Sequence, residues 1–252
     1  MIREPPGWTS VAVTAQTFAT LNRCDSTIYM TFKNIGNFGV AYSNDDGGSW
    51  NIGTITALSA GFTVEDADCS DNLNLAAMPN EGSPVLSSIN GGAGWGSGTA
   101  LANTSPRTLA IERGTLNMLH VYAVGGAPES RLSTDLGATY QPADTATWAG
   151  STYNGAVARG SDSYYVGMRA GTDCRIYFSA TGASGSFSMR SGSCTAISEL
   201  SAVVHSGDTV LYGGTNAFSP LLFRWDRSTD TVVQETLPAG GLTITHLLAV
   251  PD

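Results

Sequence analysis

Carboxylates and arginines spread along the 252-residue chain are the first candidates for chemistry. Glycoside hydrolysis requires two carboxyl groups on one face of a site, one of them acting as the acid. The candidate carboxylates are Glu81, Glu129 and Asp173, and the candidate arginines are Arg107, Arg131, Arg169, Arg175 and Arg190. The spacing of these arginines gives no reason to expect three of them to meet at one site that binds a carboxylate. The sequence therefore predicts no catalytic residues.

Other common kinds of catalytic or metal site are not indicated. The chain has no Gly-x-Ser-x-Gly turn for a nucleophilic serine. Its histidines are scattered, and its four cysteines include no Cys-x-x-Cys pair, so neither a metal nor another cofactor is predicted. His120 and His205 lie in or beside apolar runs. We therefore expect them to be packed strand residues.

Charge and hydropathy exclude two classes of partner. Twelve Lys and Arg against 21 Asp and Glu give a net charge of −9, and Lys33 is the only lysine. A nucleic-acid surface needs a basic stripe, which this composition does not supply. Residues 1–6 lack the apolar core of a signal peptide, and no apolar run is long enough to span a membrane. The location is left open between extracellular, virion surface and cytoplasm.

A short motif of serine, polar residues and glycine, closed by an aromatic residue, recurs along the chain. Its first four copies span 43–50, 88–95, 133–140 and 179–187, so that the starting serines are 45, 45 and 46 residues apart. A degraded fifth copy spans 225–232. A period of about 45 residues is typical of four-stranded propeller blades. The motif positions are Ser43, Asp45, Gly47 and Trp50; Ser88, Asn90 and Trp95; Ser133, Asp135, Gly137 and Tyr140; and Ser179 and Phe187.

The elements that carry these motifs read as strands. Apolar, β-branched and aromatic runs bounded by Gly, Asn and Asp precede each copy, at 27–32, 73–77, 118–122, 163–167 and 209–213. No window shows a helical period. We predict an all-β, five-bladed β-propeller of four-stranded blades, forming a single domain over residues 1–252. Strands at 8–11 and 244–250 are expected to close the ring, which would hide the sheet edges.

The pattern at 43–50 and 133–140 resembles the Asp-box, or bacterial neuraminidase repeat, of sialidases and other propellers. The resemblance covers almost the whole chain, although it is weaker at 88–95 and poor at 179–187 and 225–232. It implies that each motif forms the turn between the third and fourth strands of a blade. In such a turn the acidic side chain accepts backbone N–H groups, glycine supplies positive φ, and the aromatic residue covers the hairpin.

Sialidases use an arginine triad, a tyrosine paired with a glutamate, an acid/base aspartate and an Arg-Ile-Pro signature. The start of this chain, Ile2-Arg3-Glu4-Pro5, is not that signature. The resemblance therefore implies a non-catalytic member of the Asp-box propellers.

A ligand is expected at the end of the blades opposite the motifs, here called the crown. It consists of the turns between second and third strands and the loops between blades. Trp148 is the leading contact because it stands outside the motif positions and offers a flat apolar face. The predicted ligand residues are Lys33, Asn34, Asn80, Glu81, Glu129, Trp148, Arg169, Asp173, Asn216 and Phe218.

These features favour a lectin-like recognition module for a glycan or protein, such as a phage or virion structural or attachment component able to join a larger complex. The alternatives are an Asp-box glycoside hydrolase and an assembly scaffold. A lectin with one sugar site per blade would carry an aromatic residue at the same position of every crown loop. The crown loops of this chain differ from repeat to repeat.

The four cysteines form two groups. Cys24 and Cys69 occupy equivalent turns of neighbouring repeats, and we expect them to be separate thiols. Cys174 and Cys194 flank one predicted hairpin, where strand pairing could bring them within disulfide range. Both the bonded and the free form of this second pair are left open.

Overall fold

The chain forms an all-β structure, as predicted. The computed structural model describes residues 16–235 apart from 25, 35–36, 46, 56–63, 80–83, 102–103, 125–126, 149–151, 161–162, 171–172, 191–193, 196–198, 207–208, 217–218 and 227. For part of the strands it describes the backbone alone. The described residues contain twenty strands in five antiparallel sheets and no helix. The strands predicted at 8–11 and 244–250 lie outside them.

Each sheet follows the previous one along the chain, and its first strands are ordered as in the sequence. Sheet 1 consists of β1 (Gln16–Cys24), β2 (Thr27–Asn34), β3 (Asn37–Ser43) and β4 (Asn51–Ile55). Sheet 2 consists of β5 (Val64–Cys69), β6 (Leu75–Pro79), β7 (Leu86–Ser88) and β8 (Gly96–Ser97). Sheet 3 consists of β9 (Thr104–Ile111), β10 (Met118–Val124) and β11 (Ala127–Ser133).

The last two sheets continue this order. Sheet 4 consists of β12 (Thr152–Gly160), β13 (Ser163–Ala170), β14 (Asp173–Ser179), β15 (Ser188–Met189) and β16 (Cys194–Thr195), and both β15 and β16 pair with β14. Sheet 5 consists of β17 (Glu199–Ser206), β18 (Thr209–Asn216), β19 (Ser219–Asp226) and β20 (Thr231–Glu235).

The repeated motifs lie at the turns after the third strand of each sheet, as predicted. In sheets 1, 2, 4 and 5 they lead directly into β4, β8, β15 and β20. In sheet 3 no fourth strand forms within the described residues. Instead, Gln141 donates its N–H to the Leu132 carbonyl at 2.9 Å, and Ser130 and Asp144 form a single antiparallel bridge. The chain thus follows the edge of β11 without regular pairing.

Neighbouring sheets pack face to face through alternating strand residues, as expected of strands buried on both sides. On β10, Met118 belongs to the cluster that joins Ile111 of the same sheet to Met78 of sheet 2. The next residue, Leu119, packs toward sheet 4 with Tyr164. Full burial of each such side chain contributes about 1.5–3 kcal/mol to stability.

The first strands are also neighbours in sequence order. β1 contacts β5, β5 contacts β9, β9 contacts β12, and β12 contacts β17. Because every sheet begins at this succession of strands, equivalent residues of adjacent repeats lie close together there.

Candidate binding site

The first and third motifs form closed hydrogen-bond networks. In the third, the Ser133 hydroxyl donates to Asp135 Oδ1 at 2.8 Å and accepts the Gly137 N–H at 2.7 Å, while Asp135 Oδ1 accepts the Thr139 N–H at 2.7 Å. Gly137 has a φ of 86°, which favours glycine. These polar groups are therefore hydrogen-bonded within the turn.

The first motif repeats this network. Ser43 donates to Asp45 Oδ1 at 2.8 Å and accepts the Gly47 N–H at 2.8 Å. Hydrogen bonds from the Ser49 hydroxyl and N–H, and from Ser43, lower the pKa of Asp45 to about 2. The carboxylate is therefore ionised near neutral pH, and its oxygens accept hydrogen bonds from Ser43 and Ser49 of the same turn.

The weaker motifs keep the serine and change its partner. Asn90 replaces the aspartate in the second copy, and its Oδ1 accepts from Ser88 at 2.9 Å and from the Gly94 N–H at 2.8 Å. In the fourth copy the Ser179 hydroxyl lies 2.6 Å from that of Ser186. The turn thus tolerates loss of the acidic group provided that the serine remains bonded.

The aromatic residues of the motifs differ in burial. Phe187 is buried against Trp148, with ring centroids 5.0 Å apart. Tyr140 and Trp95 are partly buried against the cores between sheets 2 and 3 and between sheets 1 and 2, respectively. Trp50 is also half-buried. The aromatic positions of the motifs are thus buried or partly buried.

Most predicted ligand residues with a described backbone lie at the crown. Lys33 and Asn34 end β2, Glu129 is near the start of β11, and the remaining strand positions are Arg169 near the end of β13, Asp173 at the start of β14 and Asn216 at the end of β18. Asn80, Glu81 and Phe218 lie outside the described residues. Their contact with a ligand stays a prediction.

The prediction for Trp148 is wrong. Its side chain has no exposed surface, and it packs edge-on against Tyr177 with ring centroids 4.9 Å apart. Its indole N–H donates to Ser130 Oγ at 3.2 Å. Residues 141–148 fold back along β11 and carry this indole into the core between sheets 3 and 4, where a ligand has no access.

A polar cluster joins the two strands of sheet 3 near the crown. Tyr122 and Glu129 are directly opposite on β10 and β11, two positions from Val124 and Ala127, the last pair of these strands. The Tyr122 hydroxyl donates to Glu129 Oε2 at 3.0 Å and accepts from Arg131 Nε at 2.6 Å. One hydroxyl therefore positions an acidic and a basic side chain, both half-buried.

The tyrosine of this cluster is held neutral. Burial raises the pKa of Tyr122 to about 12, and the hydrogen bond from Arg131 only partly opposes that rise. A hydroxyl with so high a pKa is a hydrogen-bond bridge at neutral pH and not an ionised nucleophile.

His120 continues the same face of β10 into the core, as predicted for a packed strand residue. It is 3% exposed, and its ring lies 5.2 Å from Tyr122 and 6.0 Å from Tyr140 between centroids. Neither ring nitrogen has a hydrogen-bond partner in the described structure, and the Tyr140 hydroxyl is likewise unpaired. Burial lowers the pKa of His120 to about 3, so the ring is neutral near neutral pH.

The sequence interpretation named Glu129 but missed Tyr122 and Arg131 as its partners. The available signal was the Gly125-Gly126 dipeptide in the sequence, because a two-residue hairpin loop predicted there fixes the register of the strands on either side. That register puts Tyr122 opposite Glu129 and His120 opposite Arg131.

The expectation of separate thiols at Cys24 and Cys69 is also wrong. These residues are joined by a disulfide bond, with their Cα atoms 6.1 Å apart. Arg113 caps the bond from the turn between β9 and β10: its Nη1 donates to the Cys69 carbonyl and to both sulfurs, and its Nη2 lies 3.6 Å from Asp68 Oδ1. The contact of β1 with β5 brings equivalent turns together, which explains the bond.

A small cavity lies between two of the described sheets. It has a volume of about 10 Å³, room for roughly one water molecule, lies between sheets 1 and 2 and is lined by Tyr29, Thr31 and Asp68 among others. Among the described residues, no three His, Cys, Asp or Glu side chains are grouped to hold a metal ion. No helix there is long and apolar enough to cross a membrane.

The fold is similar to that of known β-propellers. No protein-family model matches the sequence, and no curated protein matches it. An ancestral GH74 enzyme superposes with a TM-score of 0.63 at 14% identity, over 87% of this chain and 30% of that one. YCF48 bound to D1 peptide superposes with a TM-score of 0.59 at 16% identity, over 88% of this chain and 67% of that one. The Dos1 propeller superposes with a TM-score of 0.59 at 12% identity, over 88% of this chain and 59% of that one.

The chain is therefore a β-propeller. It spans less than a third of the GH74 enzyme and less than two thirds of the Dos1 propeller. Such propellers include both an enzyme and a protein bound to a peptide. These superpositions show the fold alone, because the sequence identities are only 14%, 16% and 12%.

Proposed function

We propose that the chain is a single-domain, five-bladed propeller of the Asp-box type, in which each of the five sheets is one blade. Support comes from the succession of first strands, β1, β5, β9, β12 and β17, each of which contacts the next. The serine-centred networks at Ser43, Ser88 and Ser133 share one geometry, which supports the Asp-box interpretation. Closure of the ring between sheets 5 and 1 completes this proposal.

The same proposal assigns the propeller a non-catalytic recognition role through its crown. The observation that carries it is the Tyr122 hydroxyl, which holds Glu129 and Arg131 in fixed positions near the β10–β11 turn. A partner then meets one acceptor and one donor whose side-chain entropy has already been lost, which favours tight binding. The motif turns offer nothing comparable, because their polar groups are satisfied internally.

A paired carboxylate and guanidinium suits two kinds of ligand. A peptide backbone offers N–H groups to Glu129 and carbonyls to Arg131, and sugar hydroxyls can bond to both. A protein or peptide partner is the first choice, because YCF48, a structural neighbour, is bound to a peptide. A glycan partner, as on a virion surface, is the second, and a scaffold role would use the same crown.

Glycan and peptide arrays probed with the labelled chain test this role. Binding should appear on one array and fall at least tenfold for Glu129→Gln and for Arg131→Lys, because each variant removes or shifts a charge-assisted hydrogen bond. The matched controls are Glu235→Gln and Arg224→Lys, which alter an ion pair of 2.6 Å on the outer strands of sheet 5. Equal loss in the controls, or equal binding by all five proteins, would contradict the role of the cluster.

A glycosidase is the second candidate function. It is favoured by one observation, the pairing of a tyrosine with a glutamate beside an arginine. The raised pKa of Tyr122 and its 1% exposure argue against a nucleophile. A panel of fluorogenic glycosides decides between them: turnover that is abolished in both Tyr122→Phe and Glu129→Gln would establish the enzyme and overturn the recognition role.

A further inference from the structure

Two cysteines of sheet 4 lie directly opposite each other. β16 pairs antiparallel with β14, and within that pairing Cys174 faces Cys194 while Asp173 faces Thr195. Directly opposed residues of an antiparallel pair have Cα atoms about 4.5–5.5 Å apart. Disulfides form between Cα atoms about 4.4–6.8 Å apart. The backbone therefore presents these cysteines at bonding distance.

An irregularity in the outer strand produces this alignment. Nearer the motif turn, Met189 faces Tyr177. From that pair to the Cys174–Cys194 pair, the chain advances three residues along β14 but five along the outer strand. Continuous pairing would have put residue 192 opposite Cys174. Two extra residues after Arg190, whose N–H still bonds to the Ile176 carbonyl at 2.8 Å, bring Cys194 into register instead.

The pairing that holds this register is short. β16 contains two residues, Cys194 and Thr195, and β15 ends at Met189. An outer segment with so little pairing is weakly held by backbone bonds alone, because each contributes about 0.5–1.5 kcal/mol. A covalent cross-link at this point would fix the pairing of β16 with β14.

We propose that Cys174 and Cys194 form a second disulfide, which fastens the outer strand of sheet 4 at the crown. Asp173 precedes Cys174 in the chain, and Arg169 of β13 is paired with Cys174. The cross-link thus fixes the backbone that carries two predicted ligand residues. Together with the Cys24–Cys69 bond, this second disulfide would place all four cysteines of the chain in disulfides.

The bond forms by thiol–disulfide exchange with a low-molecular-weight disulfide such as glutathione disulfide. One cysteine thiolate attacks that disulfide and releases a thiol, and the second cysteine thiolate then displaces the other thiol. The protein loses two protons and two electrons, and the small disulfide is reduced to two thiols. An oxidising compartment supplies this co-reactant.

Disulfide mapping of the whole chain tests the inference. The protein is equilibrated with glutathione and glutathione disulfide, alkylated in denaturant, digested without reduction and analysed by mass spectrometry. We expect a peptide that links Cys174 to Cys194, a second that links Cys24 to Cys69, and no alkylated cysteine. Alkylated Cys174 and Cys194 beside an intact Cys24–Cys69 link would overturn the proposal, as would any cross-pairing between the two groups.

A variant pair supplies the control. Cys194→Ser should leave Cys174 alkylated and the Cys24–Cys69 link intact, which also shows that the variant folds. In the Cys174→Ser/Cys194→Ser protein, proteolytic cleavage within residues 190–198 should be at least tenfold faster than in the oxidised wild type. An unchanged cleavage rate would contradict the fastening role assigned to the bond.

Discussion

Cys24 and Cys69, 45 residues apart in sequence, are bonded to each other where the first strands of two sheets meet, and Arg113 of the third sheet contacts both sulfurs. Three consecutive repeats therefore converge on one point. The Asp68 carboxylate supports it by accepting the Cys69 and Ile111 N–H groups at 2.8 Å each. Burial raises the pKa of Asp68, while Arg113 opposes that rise. This convergence makes the first strands of sheets 1 and 2 a cross-linked unit.

The serine of each motif should matter more than its exposed neighbour. Ser133 is fully buried and bonds to Asp135 and Gly137, whereas Thr134 is exposed. Ser133→Ala should lower the free energy of unfolding by about 1–3 kcal/mol, because it leaves buried donors unpaired. Thr134→Ala should change it by less than about 0.5 kcal/mol. Urea unfolding measures both, and equal effects would remove the structural role assigned to the motif.

Close approach of sheets 2 and 3 requires Gly98. The Thr99 N–H donates to the Gly137 carbonyl at 2.9 Å, and a Cβ on Gly98 would collide with that same carbonyl oxygen. Gly98→Ala should therefore cost about 1–3 kcal/mol of stability through overpacking. Gly96→Ala is the matched control, since a Cβ there meets nothing within 4 Å. Calorimetry should show a lower Tm for the first variant only; a Tm unchanged in both would show that the contact is not tight.

Stability should fall on acidification through His120. Its pKa is lowered to about 3 in the folded protein, from 6.5, so the unfolded chain binds its proton more readily. The stability is fully present above pH 6.5 and is lost as the pH falls toward 3. At pH 5 the loss should be about 2 kcal/mol relative to pH 7.5. Burial alone lowers the pKa of His120. Arg131 is the charged residue opposite His120 in the strand pairing, while Tyr122 and Tyr140 beside it carry no charge at these pH values.

The variant that isolates this effect is His120→Phe, which keeps an aromatic ring between Tyr122 and Tyr140. Urea unfolding of wild type and variant at pH 7.5 and pH 5 should show a smaller acid loss in the variant by about 2 kcal/mol. Parallel pH curves for the two proteins would assign the acid sensitivity to other groups.

Trp148 should be a stability residue. Trp148→Ala should cost about 3–5 kcal/mol, because a fully buried indole is lost together with its contacts to Tyr177 and Phe187. Trp148→Phe should cost less and keep the fold. The phenylalanine variant should bind array ligands as the wild type does. Loss of binding at an unchanged Tm would restore Trp148 to the ligand site.

The repeat predicted the turns well because a short motif fixes its own conformation. The position of Ser43, Ser88 and Ser179 at the ends of third strands follows from local hydrogen bonds alone. The contacts between repeats could not be predicted in this way. The Cys24–Cys69 bond depends on how two blades meet, and the burial of Trp148 depends on the irregular return of residues 141–148. The spacing of residues within one repeat predicts neither the disulfide nor the burial of Trp148.

The cluster of Tyr122, Glu129 and Arg131 could be predicted only in part. Glu129 was found by its position near a crown turn, whereas Tyr122 and Arg131 required the strand register. Alternation along β10 places Tyr122 and His120 on one face, but only the cross-strand pairing shows which charged groups they meet. The Gly125-Gly126 dipeptide, taken as a two-residue hairpin loop, predicts that pairing.

Equilibrium binding of the array-selected peptide or glycan to wild type and Tyr122→Phe tests the recognition role most directly. The variant keeps the buried ring and removes only the hydroxyl that holds Glu129 and Arg131. We predict a Kd at least about tenfold higher at an unchanged fold, which corresponds to about 1.4 kcal/mol. An equal Kd for the two proteins, measured with matching circular dichroism spectra, would contradict recognition through this cluster.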